Sequence, residues 1–184
     1  MLQTNKIVVI GVGNILFMDE GVGVYASRSL KENYTFDPHV DIVDGGTLGF
    51  KLMDYFQDYQ RVIILDTVSI KDKPGSVYDL PAEALMGLSE YKQTVHELEV
   101  VGMLELSSML EEVAEVSVIG IIPEDIQSVE INLSDILRKQ MPILIEKTLE
   151  ILEHTGVSVA KKSVGKDIDN IIDLYKYPST VQGS

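Results

Sequence analysis

Residues Gly11 to Val24 read GVGNILFMDEGVGV, and the fold turns on how that stretch is parsed. Before it stands an apolar, β-branched run, Ile7-Val8-Val9-Ile10, and after it an amphipathic segment. The stretch therefore reads as the turn from a first buried strand into a first helix. Its acidic pair, Asp19 and Glu20, falls where that helix should begin. A helix N-terminus favours negative charge, so carboxylates there stay ionised and open to a cation. Asn14 and Asp19 are placed to brace the turn, and Gly11 and Gly13 to bring Glu20 to the sheet edge.

Outward from this turn, the helix continues over Tyr25 to Tyr34 with Val24, Leu30 and Tyr34 on its apolar side, and Asp37-Pro38 stops it. Val40 to Val43 is a second strand. It ends at Asp44-Gly45-Gly46-Thr47, where the glycines permit positive φ and Thr47 is placed to cap a helix from Leu48 to about Tyr59. Arg61 to Leu65, nearly continuous in apolar residues, is a third strand of the kind covered on both faces. Beyond Asp66, the turn-rich Lys71-Asp72-Lys73-Pro74-Gly75 leads to a short strand over Ser76 to Leu80, and Pro81 opens a short helix to about Gly87. A polar loop, Ser89 to Thr94, precedes His96 and an apolar-periodic helix with Val100, Met103, Leu104, Leu106 and Leu110. Val116 to Ile122 is another buried strand, ended by Pro123. Ser134 caps a last long helix, Asp135 to His154, kinked by Pro142 and stopped by Gly156.

Strands alternating with helices predict a single α/β domain over residues 1–160: a three-layer sandwich with a mostly parallel twisted sheet of about five strands and helices on both faces. Residues 161–184 read as a C-terminal tail, with a marginal helix around Asp167 to Tyr175 and a loose end. In open sheets of this kind, ligands collect at the carboxyl ends of the strands. The turns at that edge are Gly11 to Glu20, Asp44 to Thr47, Asp66 onward and Pro123 onward, and the glycines and acids concentrate there.

Composition narrows the chemistry. The chain's 184 residues are 45% hydrophobic, enough for one sizeable core. A formal net charge of −14 argues against a nucleic acid as partner, because phosphate contacts need Lys and Arg, and favours a partner with a basic patch. With no cysteine, disulfides, thiolate catalysis and zinc–thiolate sites are excluded, and metal ligands must be His, Asp or Glu. Met1 to Lys6 is short and polar, and no segment approaches the ~20 apolar residues of a membrane helix, so a cytoplasmic protein with no membrane partner is expected.

Gly11-x-Gly13 after a strand begins a dinucleotide fingerprint, but Leu16 stands at the third glycine position and Glu20 would repel a phosphate at this helix start. A metal reading uses Glu20, Asp66 and His96, each at a turn on the same sheet edge. An O,O,N set leaves coordination positions open and suits a borderline ion such as nickel or zinc. Each residue also has an ordinary role open to it: Glu20 as complement to a helix dipole, Asp66 as an Asx-turn acid, His96 as a cap or surface residue. His39 and His154 read as structural, no serine sits in a G-x-S-x-G elbow, and Glu105, Glu111, Glu112 and Glu115 read as a solvated helix face.

GVGNILFMDEGVGV, DGGTLG at Asp44 to Gly49, VIILDTV around Asp66, GSVY at Gly75 to Tyr78, VHELE around His96 and VIGIIPE at Val118 to Glu124, taken in that order, resemble the nickel–iron hydrogenase maturation proteases. The likeness runs over about residues 6 to 156 and leaves out the tail. It implies an endopeptidase that removes a C-terminal extension from the hydrogenase large-subunit precursor once nickel has been inserted. It also implies that Glu20, Asp66 and His96 meet that nickel, which arrives with the substrate. One departure stands out: the family commonly has a glycine three residues after the histidine, and here that residue is Glu99, with Gly102 a turn later. Glu97 and Glu99 are thereby further candidates for ligation or substrate contact. The Asp44, Gly45, Gly46 and Thr47 turn is placed to contact substrate, its backbone N–H groups serving as donors. The alternative is a non-hydrolytic, metal-sensing chaperone that docks on the same precursor.

Overall fold

The structure, a computed structural model, describes residues 6–81, 84, 100–105 and 114–178. Its elements run β1 (Ile7–Val12), α1 (Val22–Asn33), β2 (Tyr34–Asp37), β3 (Val40–Gly46), α2 (Met53–Asp58), β4 (Arg61–Thr67), β5 (Val77–Pro81), β6 (Glu115–Ile121), α3 (Asp135–His154), β7 (Ser158–Lys161) and α4 (Ile168–Lys176). Short 3-10 turns at Met18–Gly21 and Gly49–Leu52 lead into α1 and α2. Five strands form one sheet in the order β3-β1-β4-β6-β5. The first four are parallel, and β5 pairs antiparallel with β6 at the edge.

Both faces of this sheet are covered, as its continuous apolar strands require. Alternation along β1 sends Ile7 and Val9 into one core, with α1, α3 and α4, and Val8, Ile10 and Val12 into a second, with α2 and residues 100–105. Ile63 and Leu65 of β4 join the first core, and Val62 and Ile64 the second. The three-layer α/β sandwich is thus the observed fold.

Local chemistry sets the ends of α3. Ser134 accepts a hydrogen bond from the Leu137 N–H, capping the start. At the other end Gly156 takes φ +89, and the N–H groups of Gly156 and Val157 donate to the carbonyls of Glu153 and Leu152, a Schellman closure.

Four expectations need correction. Leu48 to Tyr59 is not one capped α-helix: the chain enters at Gly49 with φ +52, outside the α-helical range, and makes a 3-10 turn over Gly49–Leu52 before α2, and Thr47 makes no cap among the described residues. Pro81 closes β5 instead of opening a helix, a position that an edge strand tolerates. Residues 34–37 leave the helix as β2 and pair antiparallel with β7, Phe36 opposite Val159. The helix in the C-terminal stretch is more than marginal, because Ile171 and Ile172 of α4 are 0% and 1% exposed in the first core. Of the helix expected from Pro81 to about Gly87, Ala84 is described and is helical; the rest beyond Pro81, the Ser89 to Thr94 loop and most of the helix after His96 fall outside the described residues.

Candidate active site

β1 is flanked by β3 on one side and β4 on the other, so the chain turns one way after β1 and the other way later. The crevice where strand order reverses is the usual ligand position in such sheets, and here the loops after β1 and β4 border it. Glu20 lies on the first of those loops, and Asp66 at the end of β4, just before the second.

Glycines bring the two loops together. Gly11 and Gly23 let α1 lie on the sheet: a Cβ on Gly11 would fall 2.1 Å from the Gly23 carbonyl oxygen. One on Gly23 would fall 2.0 Å from the carbonyl oxygen of Leu65, the residue before Asp66. Gly13, at φ +138, leaves room for the Glu20 carbonyl, which a Cβ there would meet at 1.9 Å. The 3-10 turn holding Glu20 thus closes directly over the end of β1, with the Glu20 N–H donating to the Phe17 carbonyl.

The acidic pair divides its labour. Asp19 is wholly buried, and its carboxylate accepts from the N–H groups of Glu124 (2.9 Å), Asp125 (2.9 Å) and Ser134 (2.7 Å). In return the Asp19 N–H donates to the Asp125 carbonyl. Asp19 therefore binds the loop after β6 to the loop after β1, the bracing role its position suggested, and Asn14 adds a bond from the Leu16 N–H to its Oδ1. Glu20 is left partly exposed beside the crevice.

Asp66 is 2% exposed at the end of β4, with Oδ1 accepting from the Thr67 N–H at 2.7 Å. The neighbouring Thr67 hydroxyl is buried with no hydrogen-bond partner among the described residues, a polar group the sequence reading did not single out. At the far side of β1, the Asp44 turn is tied in by the Gly13 N–H donating to the Gly46 carbonyl at 3.0 Å. Asp44 and Thr47 are exposed on it, Gly46 is half-buried and Gly45 is buried. His96, Glu97 and Glu99 lie outside the described residues. The helical residues 100–105 that follow them come up to the 3-10 turn at Gly49–Leu52, where a Cβ on Gly102 would sit 3.2 Å from the Phe50 ring.

Opposite the Asp44 turn stands a residue that no sequence signal marked: Tyr175 of α4 donates to Asp44 Oδ2 at 3.1 Å across 131 residues of chain. Near Asp19, the Ser128 hydroxyl and the N–H groups of Ser128 and Gln127 hold the Asp125 carboxyl below the usual carboxylate range.

An open, mostly parallel sheet with a carboxylate on the turn after β1 and another at the end of β4 frames a ligand or substrate site at its switch point, built without thiols. A sequence profile of the hydrogenase maturation protease family matches residues 24–151, and the chain belongs to that family. The Hydrogenase 2 maturation protease of Escherichia coli is 30% identical over 164 residues, 88% of this chain and 99% of that one. A hydrogenase expression/formation protein, HupD, of Bradyrhizobium diazoefficiens is 41% identical over 73 residues, 40% of this chain and 38% of its own length. Among solved structures, the hydrogenase maturating endopeptidase HybD of Escherichia coli superposes with a TM-score of 0.79 at 31% identity, covering 86% of this chain and 98% of the other.

Proposed function

We propose that the chain is an endopeptidase that removes the C-terminal extension of a nickel-loaded hydrogenase large-subunit precursor, and that Glu20, Asp66 and His96 are the groups that meet the precursor's nickel. The observation that carries this reading is that the turn bearing Glu20 and the end of β4 bearing Asp66 border the same switch point, in a chain of the hydrogenase maturation protease family. Two carboxylates and an imidazole form an O,O,N set that suits a borderline divalent ion and leaves positions for substrate groups. The nickel is cargo of the substrate, and supplies an anchor and a Lewis-acidic centre beside the scissile bond.

The chain's own part is to orient and to move protons. Hydrolysis adds water across the scissile amide: the C–N bond breaks, hydroxide adds to the carbonyl carbon and a proton goes to the leaving amine. A carboxylate at this edge takes the proton from the attacking water and returns it to the amine. The Gly45-Gly46-Thr47 backbone donates to the substrate chain and holds it in register. No helix of the described residues is long and apolar enough to cross a membrane, which fits a cytoplasmic enzyme.

The test is to mix purified protein with nickel-loaded and nickel-free precursor and follow the precursor's mass. Loss of a C-terminal peptide from the nickel-loaded form alone is expected. An intact precursor, with metallation verified, would overturn the reading, and binding without a new C-terminus would mark a chaperone instead. Glu20→Ala, Asp66→Ala and His96→Ala should each slow cleavage by at least about a hundredfold, since even groups that only support metal ligands are worth ten- to a hundredfold. Full activity in all three variants would remove the site assignment.

A further inference from the structure

The family profile ends at residue 151, yet α4, beyond it, reaches the candidate site. That helix is fixed along its length. Asp167 caps its start by accepting from the Asn170 N–H at 2.8 Å, Arg138 of α3 pairs with Asp169, and Ile171 and Ile172 are buried in the core. One turn further on, the ring of Tyr175 meets Tyr25 of α1 edge-on, centroids 5.5 Å apart and planes at 78°. Its hydroxyl is thereby aimed at Asp44 Oδ2. Burial, and then the charge of Asp44, push the Tyr175 phenol well above its ordinary pKa, so it stays protonated and remains a donor.

An exposed aspartate at the end of a strand is free to turn about its own χ angles unless something holds it. Here a rigid phenol holds one oxygen, and the other, Oδ1, lies beside Gly46, at 3.6 Å from where a Cβ on that glycine would be. We propose that Tyr175 is a positioning residue for substrate: the end of β3 is already paired with β1, and by holding Asp44 Oδ2 the phenol fixes the Asp44 carboxylate as an acceptor against which the precursor's chain lies. The inference rests on the proteolytic reading of this edge and extends the working site to a helix outside the matched family region.

The test compares Tyr175→Phe, Asp44→Ala and the double variant in cleavage of nickel-loaded precursor and in precursor binding. Tyr175→Phe keeps the ring against Tyr25 and removes only the donor. Expected is a loss of about tenfold in kcat/KM, the scale of one hydrogen bond to a charged group, carried by KM, with Tm unchanged. In the Asp44→Ala background, Tyr175→Phe should cost nothing further, the non-additivity that a purely structural tyrosine would not show. Equal rates and equal Kd for Tyr175→Phe and wild type overturn the proposal, as do additive effects in the double variant. A wild type that binds precursor without cutting it removes the proteolytic reading, and Tyr175 is then judged by the same tenfold change in Kd. Precursor neither bound nor cut overturns both.

Discussion

The two edges of the sheet are held together by different physics. At the carboxyl edge, the loops after β1 and β6 meet on one buried carboxylate, Asp19, which takes three backbone N–H groups. At the amino edge, a buried neutral amide, Asn33, donates to the Lys166 carbonyl (2.9 Å) and accepts from the Lys166 N–H (2.6 Å), and the charged joints are side-chain pairs open to solvent: Glu32 with Lys166 (2.5 Å), Arg61 with Glu115 (2.5 Å), and Asp41 between His39 (3.1 Å) and Tyr59 (2.7 Å). Charge-assisted bonds out of water are strong and unscreened, whereas exposed pairs contribute little and fade with salt. Buried charge is therefore used at the edge where the acids of the candidate site lie, and neutral amide bonds and exposed ion pairs at the other.

The largest effect should come from Asp19→Ala, which strands backbone donors in a dry joint. A loss of about 3 kcal/mol is expected. In a chain of this size that lowers Tm by roughly 10 °C. Asp19→Asn, which keeps an acceptor for some of the donors, should fall between. Thermal melts read both, and an Asp19→Ala variant within about 2 °C of wild type would erase the contrast between the edges.

Next in size is Gly23→Ala. Its Cβ would come 2.0 Å from the Leu65 carbonyl oxygen and 2.4 Å from that of Val12, both backbone, so α1 must lift from the sheet and carry the Glu20 turn with it. A cost of about 2 kcal/mol is expected, with a loss of precursor cleavage already below the melting range. Gly156→Ala is the control: nothing stands within 4 Å of its Cβ, and only the φ of +89 is strained, so about 1 kcal/mol and unchanged cleavage are expected. Equal activity in the two variants would mean that the close approach of α1 does not position the site.

How much of this the sequence displays follows from the range of the interactions. β1, β4 and β6 are legible because strands covered on both faces read as apolar runs, β3 because β-branched residues end at an Asp-Gly-Gly, and Ser134 and Gly156 announce the ends of α3 within a few residues. β2 and β7 are not legible: they have four residues each, and Thr35 bonds to the Ala160 carbonyl 125 residues away. α4 has nine residues, too few to be stable alone, and its order comes from burying Ile171 and Ile172. At the site, Glu20 and Asp66 show as acids at strand ends and Asp19 as a brace. Tyr175 looks like any aromatic of a short helix until the fold sets it beside Asp44. His96 rests on the family resemblance, since it lies outside the described residues.

The smallest effect belongs to the amino edge, at Glu32. Lys166 hydrogen-bonded to its carboxylate, more than the nearby charge of Arg28, holds the Glu32 carboxyl below its ordinary value, while partial burial opposes the shift. A carboxyl whose pKa is lowered on folding binds its proton less readily in the native state. Its contribution is then complete above the unfolded value, about 4.3 to 4.5, and is lost as pH falls through the folded value below that. Glu32 is one-fifth exposed and Lys166 two-fifths, so screening limits the pair to less than about 1 kcal/mol. Glu32→Gln should lower the urea midpoint slightly at neutral pH, and the gap to wild type should shrink as pH falls below the unfolded value and through the folded one. It should also narrow in high salt, where the Asp19→Ala gap should hold. A Glu32→Gln gap that survives both acid and salt would show that Glu32 holds the amino edge through something other than its ion pairs.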